Sequence, residues 1–270
     1  MMTHDLPTFF RALHRGPDPL ILCNAWDAGS ARMIRSQGAR AIATTSAGMA
    51  WALGIADGNH LPADLLLAMS AGIVKAVPDL PVSIDMEAGY NDDPATVADL
   101  ARRVVETGVA GINIEDGTDA PDLLAAKIAA IRKAVGPALF INARTDVYLR
   151  QLVPGESRVA EVIKRGEFYG AAGADGLFTP GLMDRAAIGD IAAGTSLPLN
   201  VMAVPGLPAV AELAALGVRR LSSGSALPQH LWARVASLAG AFLTDGASDP
   251  LWVESMAYPQ INAMMAGASA

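Results

Sequence analysis

The sequence predicts an α/β protein of the (β/α)8-barrel (TIM-barrel) class. Strand-like and helix-like patterns alternate eight times between Leu20 and Phe242, and eight β-then-α units is the number that closes such a barrel. The strand-like segments are short apolar runs rather than polar/apolar alternations, as expected of parallel strands covered on both faces. Three of these runs end in acidic or cationic side chains, and the C-terminal mouth of a barrel is where that architecture carries its chemistry. A doubly wound open sheet is the alternative. The chain contains no Gly-x-Gly-x-x-Gly or Walker-type loop, which weakens the nucleotide-binding form of that fold.

In chain order, strands are expected at Leu20–Trp26, Ala41–Ser46, Pro81–Glu87, Gly111–Asp116, Leu139–Thr145, Asp175–Thr179, Pro198–Ala203 and Arg219–Ser223. Helical patterns follow each in turn, near Gly29–Gln37, Ala63–Val77, Pro94–Glu106, Leu123–Val135, Arg158–Ala172, Arg185–Ala193, Pro208–Ala215 and His230–Phe242. Pro94 and Asp122 suit helix starts, because proline needs no N–H partner in the first turn and an acid there faces free N–H groups. Asp27 reads as the N-cap of the first of these helices. Gly38, Gly108, Gly173 and Gly217 each precede a strand and read as helix C-caps. The 270 residues are expected to form one barrel domain, 1–270, with 250–270 as a C-terminal helical tail. Within that tail, Trp252–Met265 is apolar enough to pack on this barrel or on a neighbouring subunit.

Composition removes several classes of function. A formal charge of −7 without a basic cluster argues against a nucleic-acid-binding face. No apolar stretch reaches the roughly 18 residues of a membrane span, and the start Met-Met-Thr-His-Asp lacks the basic and apolar regions of a signal peptide. The one cysteine, Cys23, excludes an internal disulfide and fits a cytoplasmic protein; within its strand it reads as a small hydrophobe.

The informative segments are Pro-Val-Ser-Ile-Asp85-Met-Glu87, Gly-Ile-Asn-Ile-Glu115-Asp116 and Leu-Phe-Ile-Asn-Ala-Arg144-Thr-Asp146. Alternation puts Asp85 with Glu87, Asn113 with Glu115, and Asn142 with Arg144 on one face of each run. If the three strands are neighbours, three carboxylates and a guanidinium converge at the mouth. Buried charges of this kind are costly unless paired or bound to a cation. Structural ion pairing is the plainer reading, with Arg144 bridging Asp146 and with Asp116 and Asp146 capping the segments that follow. Tyr90 reads either as part of a loop over the site or as a solvated turn residue.

Together with Thr44-Thr45-Ser46-Ala47-Gly48 and the following Asp57, and with Asp85-Met-Glu87-Ala-Gly-Tyr, these motifs resemble the isocitrate lyase and phosphoenolpyruvate mutase superfamily from about Leu20 to Ala226. The resemblance implies a Mg²⁺-dependent enzyme, with Mn²⁺ as a possible substitute. Such an enzyme acts on a small 2-oxo or 2-hydroxy carboxylate through an enolate-like species. It also implies a homodimer or homotetramer that exchanges a C-terminal helix between subunits. Residue by residue, it makes Asp85 the direct metal ligand, with Asp57, Glu87 and Glu115 holding metal-bound waters. Where this chain has Glu87 the family commonly has aspartate, and one more methylene still permits a contact through water. Arg144 would clamp a substrate carboxylate, as its planar fork of donors suits. Ser46, Ala47 and Gly48 would present backbone N–H groups, and Asn200 matches an asparagine that holds a second carboxylate.

The departures narrow the chemistry. The isocitrate-type lyases carry a Cys-containing loop after the fourth strand, where this chain has Gly117-Thr-Asp-Ala-Pro-Asp122. At the end of the sixth strand, in place of the family's glutamate or histidine, stands Thr179-Pro180. Reactions needing little proton machinery at that loop fit best, so the sequence points to a C–C lyase similar to oxaloacetate decarboxylase or methylisocitrate lyase. Asp57, Glu115 and Arg144 are then the catalytic candidates. The alternatives are phosphonate P–C chemistry, as in a mutase or hydrolase, and a barrel that binds a 2-oxo acid without turnover.

Overall fold

The computed structural model describes residues 5–267. Residues 1–4, and residues 268–270 of the expected tail, lie outside the described residues. The elements run α1 (Leu6–Leu13), β1 (Leu20–Leu22), β2 (Asn24–Ala25), α2 (Ala28–Ser36), β3 (Ile42–Thr44), α3 (Ser46–Ala52), α4 (Ala63–Ala76), β4 (Val82–Asp85), α5 (Pro94–Glu106), β5 (Gly111–Glu115), α6 (Pro121–Val135), β6 (Phe140–Arg144), α7 (Arg158–Ala172), β7 (Gly176–Phe178), α8 (Arg185–Gly194), β8 (Leu199–Met202), α9 (Val210–Ala215), β9 (Val218–Ser222), α10 (Ala226–Asp245), α11 (Asp249–Trp252) and α12 (Tyr258–Met265).

The strand segments form one parallel sheet in the order β1-β9-β8-β7-β6-β5-β4-β3-β2. Only Cys23 separates β1 from β2; β1 pairs with β9 and β2 with β3. The first stave thus changes neighbours at Cys23 and brings the two ends of the sheet together, so nine segments make the eight staves expected. Cys23 is half-buried at that break rather than fully covered.

Local chemistry explains the helix ends. Asp27 caps α2 in a capping box, its carboxylate accepting from Ser30 N at 2.6 Å. Asp93 accepts from Thr96 N at 3.0 Å, with Pro94 in the first turn of α5. Gly38, Gly108, Gly173 and Gly217 all have positive φ, as their C-cap reading requires. Three helical features depart from the sequence pattern. α1 and α3 are additional to the eight repeats, and the tail is two helices rather than one run over 252–265. Pro259 explains the break, since a proline is tolerated in a first turn and not in a helix interior. α12 lies against the same barrel, where Arg32 donates to the Met264 carbonyl at 3.2 Å.

Alternation divides the barrel sharply. Outward residues of the staves, including Ile42, Ile84, Ile112, Ile114, Ile141, Leu177 and Val201, are buried under the helices and make the main core. Inward residues divide into an apolar set around the plug, Leu20, Leu22, Ala43 and Phe140, and a polar set, Ser83, Asp85, Asn113, Asn142, Asn200, Arg220 and Ser222, all buried. At the opposite end from the mouth, α1 plugs the barrel with Phe10, whose ring meets Phe140 edge-on at 5.4 Å. A Cβ at Gly111 would come within 2.7 Å of that ring, so glycine there lets the plug seat.

Among the described residues, no helix is long and apolar enough to cross a membrane.

Candidate active site

The register of neighbouring staves assembles the mouth. Asp85 pairs with Asn113 and Asn113 with Asn142, while Glu115 pairs with Arg144 and Arg144 with Phe178. A cavity of about 250 Å³ opens over these residues. Asp57, Asp85, Asn113 and Arg144 line it, with Ser46 and Ala47 at the start of α3. An apolar wall of Leu149, Phe178, Pro180 and Met202 completes it, together with Asn24, Thr45, Ser222, Gly224 and Ser225.

Asp85 is the buried acid that lines the cavity. Its backbone N–H donates to Thr44 Oγ1 at 2.9 Å, and its carboxylate accepts from Glu87 N at 3.2 Å. Burial pushes its pKa up; the nearby Arg144 charge and the Glu87 and Ser46 N–H groups oppose that shift, and Asp57 adds to it. Among the described residues Asp85 forms no ion pair. A buried carboxylate in that condition is relieved by a cation.

Glu87 and Glu115 stand behind the cavity rather than in its lining. Glu87 sits at φ +49°, a costly left-handed conformation for a residue with a Cβ. Asn59 and Tyr90, also at positive φ, hold it there: Asn59 N donates to its carboxylate, and Tyr90 Oη donates to Oε1 at 3.1 Å. Tyr90 is therefore a half-buried support of Glu87, not a solvated turn residue. Asn59 Oδ1 accepts from Ala88 N at 3.2 Å, which ties the Asp57 loop to the same turn. Burial pushes the Glu115 pKa up to about 8, against the pull of Arg144. Arg144 Nη1 lies 2.6 Å from Glu115, and its Nε and Nη2 donate to Asp146 at 2.7 and 3.0 Å.

Arg144 makes the ion-pair bridge considered from sequence and is also exposed to the cavity. A further buried network, not anticipated from sequence, fixes this bridge. Asp116 accepts from Asp146 N at 2.9 Å and, through its other oxygen, from Arg165 Nη1 and Tyr169 Oη, both at 2.7 Å. Arg165 and Tyr169 come from α7. Their four-residue spacing on one helix face was visible in sequence, but nothing marked the acid they meet.

Two residues expected at the substrate, Asn200 and Gly48, lie outside the cavity lining. Asn200 is register-matched to Phe178, and through it to Arg144. Strand tilt lowers each successive register partner by about 3 Å along the barrel axis, so Asn200 falls beneath the floor. Its amide there is consumed by Asn142 at 3.1 Å, the Val201 carbonyl at 2.7 Å and Ser222 at 3.2 Å. Gly48 also lies outside the cavity lining. A Cβ on it would approach Trp26 Cβ and Thr45 Cγ2 to 2.8 Å, so its glycine serves the packing of α3. His60 and His230 are exposed and away from the site.

Four acids with hard oxygen donors, two of them (Asp85 and Glu87) buried without an ion pair among the described residues, fit a divalent cation. Among the described residues, no three His, Cys, Asp or Glu side chains converge closely enough to hold a metal by themselves. That spacing suits one direct carboxylate with the others acting through water.

The phosphoenolpyruvate phosphomutase family profile matches residues 10–243. The chain belongs to the isocitrate lyase/phosphoenolpyruvate mutase superfamily. An uncharacterized protein of Mycobacterium tuberculosis (strain ATCC 25618 / H37Rv) is 36% identical over 261 residues, covering 95% of each chain. An oxaloacetate decarboxylase of Ectopseudomonas mendocina (strain ymp) is 32% identical over 253 residues, covering 83% of this chain and 79% of its own. A crystal structure from Burkholderia cenocepacia J2315, provisionally described as a phosphonomutase, superposes with a TM-score of 0.83 at 41% identity; it covers 88% of this chain and 100% of that one. The superfamily to which the chain belongs is one of lyases and mutases.

Proposed function

We propose that the protein is a Mg²⁺-dependent carbon–carbon lyase of a small 2-oxo or 2-hydroxy carboxylate, with an oxaloacetate-like 2-oxo diacid as the favoured substrate. One observation carries the reading: Arg144 and the buried Asp85, which forms no ion pair, line the same small cavity, with Phe178 of its apolar wall 5.9 Å from the guanidinium carbon. Asp85 would hold the cation directly, and Asp57, Glu87 and Glu115 would hold its waters. A divalent cation there would supply Lewis-acid polarisation of a 2-oxo oxygen.

The chain's own groups do the rest. Arg144, already fixed by Glu115 and Asp146, offers guanidinium N–H groups to a substrate carboxylate without needing to be ordered on binding. Ala47 and the Ser222 and Ser225 hydroxyls are placed for the remaining oxygens. Ser46 contributes less than its position suggests, because its N–H already serves Asp85. Leu149, Phe178, Pro180 and Met202 exclude water from the side where an uncharged fragment would leave. The turn that replaces the Cys-containing loop closes on itself, with Asp119 N donating to the Asp116 carbonyl at 2.8 Å. No thiol or imidazole is supplied there. Solvent is the proton source this arrangement leaves for an enolate product.

Phosphonate chemistry is the second reading, supported by the likeness to the Burkholderia structure. Against it, Arg144 is the one cationic side chain among the residues lining the cavity, which suits a carboxylate better than a phosphonate dianion beside a second anion. A homodimer or homotetramer is proposed as well, because α10 to α12 expose Leu231, Trp232, Phe242, Leu243, Trp252 and Val253. Light scattering at working concentration tests it.

The deciding assay offers oxaloacetate, 2-methylisocitrate, isocitrate and phosphonopyruvate at equal protein and Mg²⁺, with thermal shift and product release as readouts: pyruvate from the first two, glyoxylate from isocitrate, and phosphoenolpyruvate or pyruvate with phosphate from phosphonopyruvate. Oxaloacetate or a close 2-oxo diacid should turn over best. A positioned acid is typically worth 10²–10⁴-fold, so the isocitrates should trail by about that factor. Methylisocitrate turnover equal to that of oxaloacetate would end this ranking.

A further inference from the structure

Beneath the cavity floor the barrel interior holds a second cation. Arg220 is the middle inward residue of β9, one pleat below the cavity-lining Ser222, and only 1% of it is exposed. An arginine this deep is ordinarily matched by a carboxylate, because a buried charge without one keeps its full desolvation cost. Arg220 has no such partner among the described residues. Its Nη2 donates to Asn113 Oδ1 at 3.3 Å, while Nε and Nη1 have no hydrogen-bond partner. On its lower side are the Phe10 ring of the α1 plug, 5.9 Å from the guanidinium carbon, and His14, an imidazole that burial and the Arg220 charge keep neutral.

What offsets this cost lies above. Burial pulls the Arg220 pKa down to about 9, and Asp85 is the charge that pulls it back, so the guanidinium stays protonated at neutral pH. Asn113 joins the two levels: it is the register partner of Asp85, it lines the cavity, and it accepts from both Arg220 and Asn142. The mouth itself is short of positive charge. Asp57, Asp85, Glu87 and Glu115 stand around it, and Arg144 is already shared between Glu115 and Asp146. Such a mouth attracts a divalent cation but repels the carboxylates of its substrate.

We propose that Arg220 is an electrostatic positioning residue of the cavity, a fixed positive charge under the acidic mouth that loosens the hold on the cation and tightens the hold on the anionic substrate. The inference rests on the proposed function, because it takes Asp85 as the residue that holds the cation. A buried charge is little screened by salt, so the effect persists at physiological ionic strength.

The test compares Arg220→Met, Arg220→Gln and Arg220→Lys with wild type by isothermal titration, first with Mg²⁺ alone and then with oxalate at saturating Mg²⁺. Both neutral variants should bind Mg²⁺ more tightly and oxalate more weakly, each by about 3- to 10-fold, as expected when a nearby unit charge is removed. Arg220→Lys should restore wild-type values. Thermal melting of Arg220→Met should be unchanged or raised, because an apolar side chain replaces a charge with unmatched donors. A merely structural arginine predicts the opposite: lower melting, with both affinities falling together. Affinities that move in the same direction, or do not move in a folded neutral variant, overturn the proposal. Should Arg220→Met not fold, Arg220→Gln reads the same quantities, because it keeps a donor for Asn113. Wild-type protein that binds oxalate but no Mg²⁺ would instead overturn the metal reading of Asp85, and the oxalate titrations would still decide whether the Arg220 charge matters.

Discussion

Replacing Arg144 with lysine separates its two roles. The guanidinium makes three close contacts at once, with Glu115 at 2.6 Å and with Asp146 at 2.7 and 3.0 Å, while also lining the cavity. A lysine keeps the charge but has a single ammonium group, which cannot span both acids and still face the cavity. Asp146 is fully buried and retains Arg150 Nε at 2.9 Å, so it is not stranded. Glu115 is the acid that loses its partner. Charge-assisted contacts of this kind are worth about 1.5–3 kcal/mol each. With one such contact to the ligand lost, oxalate affinity at saturating Mg²⁺ should fall about 10- to 100-fold. Stability should fall by about 1–3 kcal/mol, mainly through Glu115, read as a lower midpoint in urea at unchanged slope. If Arg144→Lys lowers the urea midpoint while oxalate binds as in wild type, the guanidinium is only a structural bridge and the substrate clamp is refuted.

Two further perturbations probe the rest of the chain. Asp85→Ala should abolish Mg²⁺ binding and activity, because direct ligation concentrates the protein's charge on the cation; equal Mg²⁺ affinity in mutant and wild type would remove Asp85 from the metal. His14, buried against Phe10 and Phe140, has its pKa lowered to about 3 by burial and by the nearby Arg220 charge. The folded protein keeps this imidazole neutral while the unfolded chain takes up a proton. Stability from this group is therefore complete above about pH 6.5 and is lost as pH falls toward 3, by on the order of 3 kcal/mol at pH 4. His14→Phe should flatten that acid limb in urea titrations between pH 7 and 4, and an unchanged limb would show that other groups carry it.

The repeat of eight strands and eight helices, the capping aspartates and the four C-cap glycines were legible from residue order, because each depends on contacts within a few positions of the chain. So was the set of acids at the strand ends, since burial makes a charge at the end of an apolar run conspicuous. The additional helices were less legible. α1 is a helix because Phe10 plugs the barrel against Gly111 and Phe140, residues more than 100 positions away. α3 begins inside what reads as a continuation of its strand, where Gly48 packs under Trp26.

Tertiary structure alone decided which polar side chains face substrate space and which lie beneath it. Period-two alternation gives the face of a strand but not the height on the barrel axis, which depends on tilt and stagger among all eight staves. For that reason Asn200 and Arg220, in register with Phe178 and hence with Arg144, lie under the cavity rather than in it. The charge network behind Arg144 has the same origin. Asp116, Asp146 and Arg165 meet only once β5, β6 and α7 have packed, and their pairing energy exists only in that arrangement. Sequence thus determined the kind of barrel and the charged residues at its strand ends. Packing determined which of those groups are free to act, because a charge buried beside a partner is held and one buried without a partner waits for a ligand.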